Sequence, residues 1–73
     1  FRNMEKKESQ KIVEKSLPEL PIIYREPIAL YYLDGKSYEE ISYVLRIPVS
    51  TVGVRIMRGK NVLRKILEPN GKQ

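Results

Sequence analysis

Ser37-Tyr38-Glu39-Glu40-Ile41-Ser42-Tyr43-Val44-Leu45-Arg46-Ile47-Pro48-Val49-Ser50-Thr51-Val52 is the stretch that decides the fold. It opens on a helix start: the Ser37 hydroxyl can cap the amide three residues on, and Glu40 can reach back to the serine's own amide. Ile41, Val44 and Leu45 follow at helical spacing, so a short helix spans about 38–45. Arg46-Ile47-Pro48 closes that helix and starts the next, because proline fits the edge of a helix start. The second helix runs from about Val49 to Leu67. At roughly 100° per residue, Val49, Val52, Ile56, Gly59, Leu63, Ile66 and Leu67 fall on one apolar stripe. Ser50, Gly53, Val54, Met57, Arg58, Asn61, Arg64 and Lys65 point the other way. A short helix, a turn and a longer helix with a basic outer face form the pattern of a helix-turn-helix. Small Ser42 falls where the two helices approach, with Ile41, Ile47 and Val52 between them. A plain helical bundle carries the same periodicity, so spacing alone does not assign the outer face a role.

Upstream of this stretch, Asp34-Gly35 ends a helix over about 23–33 whose apolar side is Ile28, Leu30, Tyr31 and Leu33. Pro27 is harmless in a first turn and kinks a helix deeper in, which favours a late start near Ile23 or Tyr24. Leu17-Pro18-Glu19-Leu20-Pro21 breaks the chain before it, with Leu17 and Leu20 turned inward. Residues 3–16 are rich in Glu, Lys and Gln and carry only Met4, Ile12 and Val13 as apolar anchors. They read as a weakly held first helix. The expected fold class is all-α, four helices of which the last two form the helix-turn-helix. Its parts are a helix or linker over 1–16, a folded unit over 17–67 and a flexible tail over 68–73. Phe1 in place of a methionine reads as an internal start, with a domain expected upstream.

The 73 residues include 41% apolar and 32% charged groups, a composition of globular chains. A chain this short buries only roughly 60% of its unfolded surface, which favours a binding module over an enzyme with a deep pocket. It has no cysteine and no histidine, so disulfides and thiolate metal sites are excluded and the commonest general base is missing. No metal or cofactor is expected, no small-molecule substrate, and no run approaches the ~18 apolar residues of a membrane span. The net charge of +5 is unevenly spread. Residues 1–45 carry seven basic and eight acidic groups, whereas residues 46–73 carry seven basic groups against Glu68 alone. That asymmetry suits a polyanion, either nucleic acid or an anionic surface.

The strings Leu20-Pro21, Tyr24-Arg25-Glu26-Pro27-Ile28, Tyr32-Leu33-Asp34-Gly35-Lys36-Ser37-Tyr38-Glu39-Glu40-Ile41-Ser42, Ile47-Pro48-Val49-Ser50-Thr51-Val52 and Arg55-Ile56-Met57-Arg58-Gly59-Lys60 together resemble region 4 of bacterial sigma factors, most of all the extracytoplasmic-function group. The likeness covers about residues 17–67. LuxR-type output domains share the helix-turn-helix but usually lack the long basic last helix. The resemblance implies a non-enzymatic, cytoplasmic module that binds the −35 element of double-stranded promoter DNA during transcription initiation. It also implies two protein partners, the β flap of core RNA polymerase and an anti-sigma factor. Carried onto this chain, the DNA-contacting set is Tyr38, Ser50, Thr51, Val54, Arg55, Met57, Arg58 and Asn61. Tyr38 and Thr51 would meet phosphate, Arg55 phosphate or backbone, and Met57 and Arg58 the bases. Arg58 can bond a guanine edge bidentately.

Several positions depart from the family pattern. Gly53 and Val54 stand where relatives usually have a basic residue and then serine, which removes two polar base contacts. Base reading is then weaker, turned toward thymine methyls through Val54, or shifted to Arg58. Tyr31 stands where many relatives carry a DNA-contacting arginine. Arg46 holds a turn position often given to glycine or asparagine, and a positive φ there would strain it mildly. Glu39 and Glu40 suit a capping box on a solvated helix face better than paired catalytic carboxylates, since no other acid or nucleophile accompanies them. Arg64 and Lys65 favour the negative pole of the last helix whatever the ligand. The competing expectation is a protein-interaction module with little DNA affinity, in which exposed Val54 and Met57 meet a partner.

Overall fold

A computed structural model describes residues 6–68, and side chains from Gln10 onward. Expectations about Met4, the lysines and glutamates ahead of Gln10, and the tail beyond Glu68 lie outside the described residues. Among these the chain forms four α-helices: α1 (Lys6–Ser16), α2 (Ile22–Tyr32), α3 (Tyr38–Leu45) and α4 (Val49–Leu67). A single 3-10 turn, Leu17–Glu19, joins α1 to α2.

Every element supplies part of one core. Val13 of α1, Leu20 after the turn, Ile28 of α2, Ile41 of α3, and Val52, Ile56 and Leu63 of α4 are buried together. Each fully buried Leu or Ile contributes roughly 1.5–3 kcal/mol. The first helix is held more firmly than its few apolar residues suggest. Val13 is fully buried, Ser16 is nearly so, and Gln10 donates from Nε2 to the Tyr32 carbonyl at 3.2 Å. That carbonyl lies in the last turn of α2, where carbonyls have no intrahelical donor.

The break between α1 and α2 turns Leu17 and Leu20 inward, as expected. Arg25 ties it down: its Nη2 donates to the Leu20 carbonyl at 2.9 Å and reaches the Pro18 carbonyl at 3.4 Å. α2 begins one residue before the earliest expected start and ends at Tyr32, so Pro27 lies inside the helix. The carbonyl that a proline there leaves without its donor belongs to Ile23, which is 48% exposed. Pro27 itself is buried. After Tyr32, the amides of Asp34 and Lys36 return to the carbonyls of Ala29 and Leu30, with Gly35 at φ 68. Only glycine takes that left-handed conformation without cost.

The α3 start is the reciprocal cap read from Ser37 and Glu40. The Glu40 amide donates to Ser37 Oγ at 3.1 Å, and the Ser37 amide donates to Glu40 Oε1 at 2.8 Å. α3 ends on Arg46 at φ 58, the left-handed residue expected to be strained. Two bonds hold the chain through it. The Ile47 amide donates to the Ser42 carbonyl, and the Ser42 hydroxyl donates to the Ile47 carbonyl. α4 spans the residues expected, but its stripe runs off the core at both ends. Val49 is 41% exposed and Leu67 37%.

Candidate nucleic-acid interface

α4 is a two-sided helix. Val52, Ile56, Gly59 and Leu63 are buried, and the helix bears Arg55, Arg58, Lys60, Arg64 and Lys65 without one acidic residue. Gly59 permits the close approach of α2. A Cβ on it would sit 2.7 Å from Ile28 Cγ1 and 3.3 Å from Tyr24 Cβ. With the inner face locked, the outer face stands at a defined angle to the rest of the molecule.

Of the eight candidate residues, the structure gathers Ser50, Val54, Met57, Arg58 and Asn61 on this exposed outer face. Val54 lies about 200° round the helix from buried Val52, at the centre of the face. Thr51 and Arg55 are half-buried. Arg55 sits about 200° from Gly53, so these two residues mark opposite flanks of α4. Tyr38 rises from the first turn of α3 over the Gly53 flank. Its ring would meet a Cβ on Gly53 at 3.6 Å. Gly53 is therefore a half-buried flank residue, not the outward one the helical spacing suggested, because the α3 ring covers it.

Tyr38 is also the end of an aromatic row. Its ring lies 5.5 Å from that of Tyr31, which lies edge-on to Tyr32 at 5.0 Å. Edge-to-face pairs at such spacing are attractive. Burial raises the Tyr32 phenol above its ordinary pKa, helped by Tyr31 and Tyr38 beside it. Tyr31, in the place of a common arginine, thus braces Tyr38 while remaining 37% exposed.

Tyr38 shares an open cleft of about 300 Å³ with Ile56, Met57, Lys60, Asn61 and Arg64. Arg64 donates from Nη1 to Asn61 Oδ1 at 3.0 Å. The cleft brings two cations, Lys60 and Arg64, beside the candidate set. The spacing Gly53, Met57, Lys60, Arg64 lies on one side of a helix and could have revealed them, once Tyr38 was known to cover that side.

Glu39 and Glu40 are exposed. The Ser37 amide bond, above all, holds the Glu40 carboxyl below its ordinary range, with Lys36 and the Ser37 hydroxyl adding to it against a smaller effect of burial. The pair serves the helix start. Among the described residues no cluster of three or more acidic groups could hold a metal ion, and no helix is long and apolar enough to cross a membrane.

The sequence of this chain matches known proteins. The family described as sigma-70, region 4, matches residues 10–63. The chain is 46% identical over 55 residues to the ECF RNA polymerase sigma factor SigW of Bacillus subtilis, covering 75% of this chain and 29% of that protein. It is 35% identical over 68 residues to the RNA polymerase sigma-H factor of Pseudomonas aeruginosa, covering 93% and 35%. It is 39% identical over 62 residues to the ECF RNA polymerase sigma-E factor of Escherichia coli K12, covering 85% and 32%. The matches thus span about a third of each relative's length. No solved structure matches the chain.

Proposed function

This chain belongs to the sigma-70 region 4 family, and on that premise we propose that it recognises the −35 promoter element, as the C-terminal domain of a sigma factor of the extracytoplasmic-function type. It directs RNA polymerase to promoters in the cytoplasm, as a binding module and not an enzyme. The observation that carries this reading is the outer face of α4. Ser50, Val54, Met57, Arg58 and Asn61 face solvent together on a helix with five cations and no acids, whose other side is packed into the core. A major groove about 12 Å wide accepts such a helix, with its early residues toward the base edges.

The roles follow from position. Arg58 bonds a guanine edge, with Ser50, Val54, Met57 and Asn61 around it. Thr51 and Arg55 meet phosphate along one side of the groove, and Tyr38 meets phosphate along the other. Lys60 and Arg64 add charge beside Tyr38. Phosphate contacts release counterions, so affinity falls steeply with salt.

The test is backbone amide shift mapping of the chain with a duplex bearing a −35 sequence and with a scrambled one, at low and moderate salt. Tyr38, Thr51, Arg55 and Arg58 should shift, the shifts should fade with salt, and the two duplexes should differ. The absence of shifts with either duplex at low salt would overturn the reading.

A second reading, docking on a protein with little DNA affinity, is favoured by one observation. Tyr43 is 85% exposed and Val44 49%, and both line an open groove of about 640 Å³ with Ile47 and Pro48. The β flap of RNA polymerase and an anti-sigma factor are the partners this reading names. Tyr43→Ser should then weaken partner binding and spare DNA, whereas Arg58→Ala should do the reverse.

A further inference from the structure

The outer face of α4 has an apolar centre inside a polar frame. Val54 is 39% exposed and Met57 55%. They are three residues apart, so they adjoin on the helix surface. Ser50 and Arg58 lie one turn before and after Val54, and Asn61 lies one turn beyond Met57. Scattered apolar residues are ordinary on a surface. Two that adjoin at the centre of a face bearing cations and no acids pose a narrower question. That face suits a polyanion, and the ligand must also offer something apolar to the centre.

Duplex DNA offers one apolar group to a helix in the major groove, the 5-methyl of thymine. Hydrogen-bond donors and acceptors occupy the other base edges there, and aliphatic side chains cannot satisfy them. The flank position at Gly53 brings no polar side chain of its own, and the Tyr38 ring covers it. We infer that Val54 and Met57 read thymine methyl groups in the major groove, and that a favoured site carries thymine beneath the centre of α4, beside the base that Arg58 contacts. This rests on the DNA-binding reading above and gives its base preference a chemical class.

The experiment selects favoured duplexes from a randomised pool with this chain, then replaces each thymine of the selected duplex by deoxyuridine. That change removes a methyl and leaves every charge and hydrogen-bonding group in place, so phosphate contacts cannot account for a difference. Affinity should fall about fourfold at one or two positions, the value of one buried carbon group. The same replacement should have no effect on Val54→Ser at the position that residue reads, nor on Met57→Gln at the other. Equal binding of thymine and deoxyuridine duplexes by the wild-type chain, with a sequence still selected, would overturn the inference and leave DNA recognition standing. Failure to select any sequence would overturn both. The wild-type comparison decides the matter even if a variant fails to fold.

Discussion

Two glycines of α4 separate what a methyl group does in open contact from what it does in a packed core. At Gly53 a Cβ would lie 3.6 Å from the Tyr38 ring, an ordinary contact. Glycine inside a helix costs about 1 kcal/mol relative to alanine. Gly53→Ala should therefore raise stability by about that amount. At Gly59 the same methyl would come within 2.7 Å of Ile28 Cγ1, a side chain with no room to yield, since Ile28 is fully buried. Gly59→Ala should lower stability by about 1–3 kcal/mol, the usual cost of overpacking. Urea unfolding of both variants checks the pair, and equal signs would contradict it. Residue spacing put Gly59 on the inner stripe but could not separate Gly53 from Val54. That distinction depends on a ring from another helix, which no local pattern reports. Arg46 was a different case: the family pattern marked a turn position often given to glycine or asparagine, and the positive φ left open there is present at 58.

At the scale of the element, α3 is short, and its start is held by two reciprocal bonds. Ser37→Ala removes one of them and should cost about 1 kcal/mol. The other is sensitive to acid. The folded-state pKa of Glu40 is depressed, so the stability it adds is present above the ordinary carboxylate range of about 4 and is lost as pH falls through the folded value. A Glu40→Gln variant keeps an acceptor oxygen and loses the charge. Its thermal midpoint should fall below that of the parent at neutral pH, and the gap should close in acid. A gap independent of pH would refute the assignment. The cap, α3 and the extent of α4 were legible because each is written in residues within a few positions of one another. The start of α2 was not. Pro27 argued for a later start, yet the helix begins at Ile22 with Pro27 inside it and buried, and what tertiary packing does with an interior proline is not written in the local sequence.

At the scale of the whole molecule, the core draws one or more residues from every helix, and α1 belongs to it. Val13 in the core and Gln10 on the Tyr32 carbonyl are contacts across the fold, and a scan for apolar spacing undervalued them. Val13→Ala should cost about 2 kcal/mol, and the chain cut to residues 17–73 should melt well below the full one. A cut chain with an unchanged midpoint would show that α1 adds nothing. Most of the exposed side of α4 was legible from its period, Gly53 excepted. The clefts beside it were not, because they need the α3 ring in place. That two-sided helix has a consequence for how such a module changes over generations. Its inward residues and its outward residues have no member in common, so the outward five can be rewritten as a cassette while the scaffold stays the same. Surface chemistry and folding are then separately inheritable traits, and a duplicated copy can acquire a new outer face without first losing its shape.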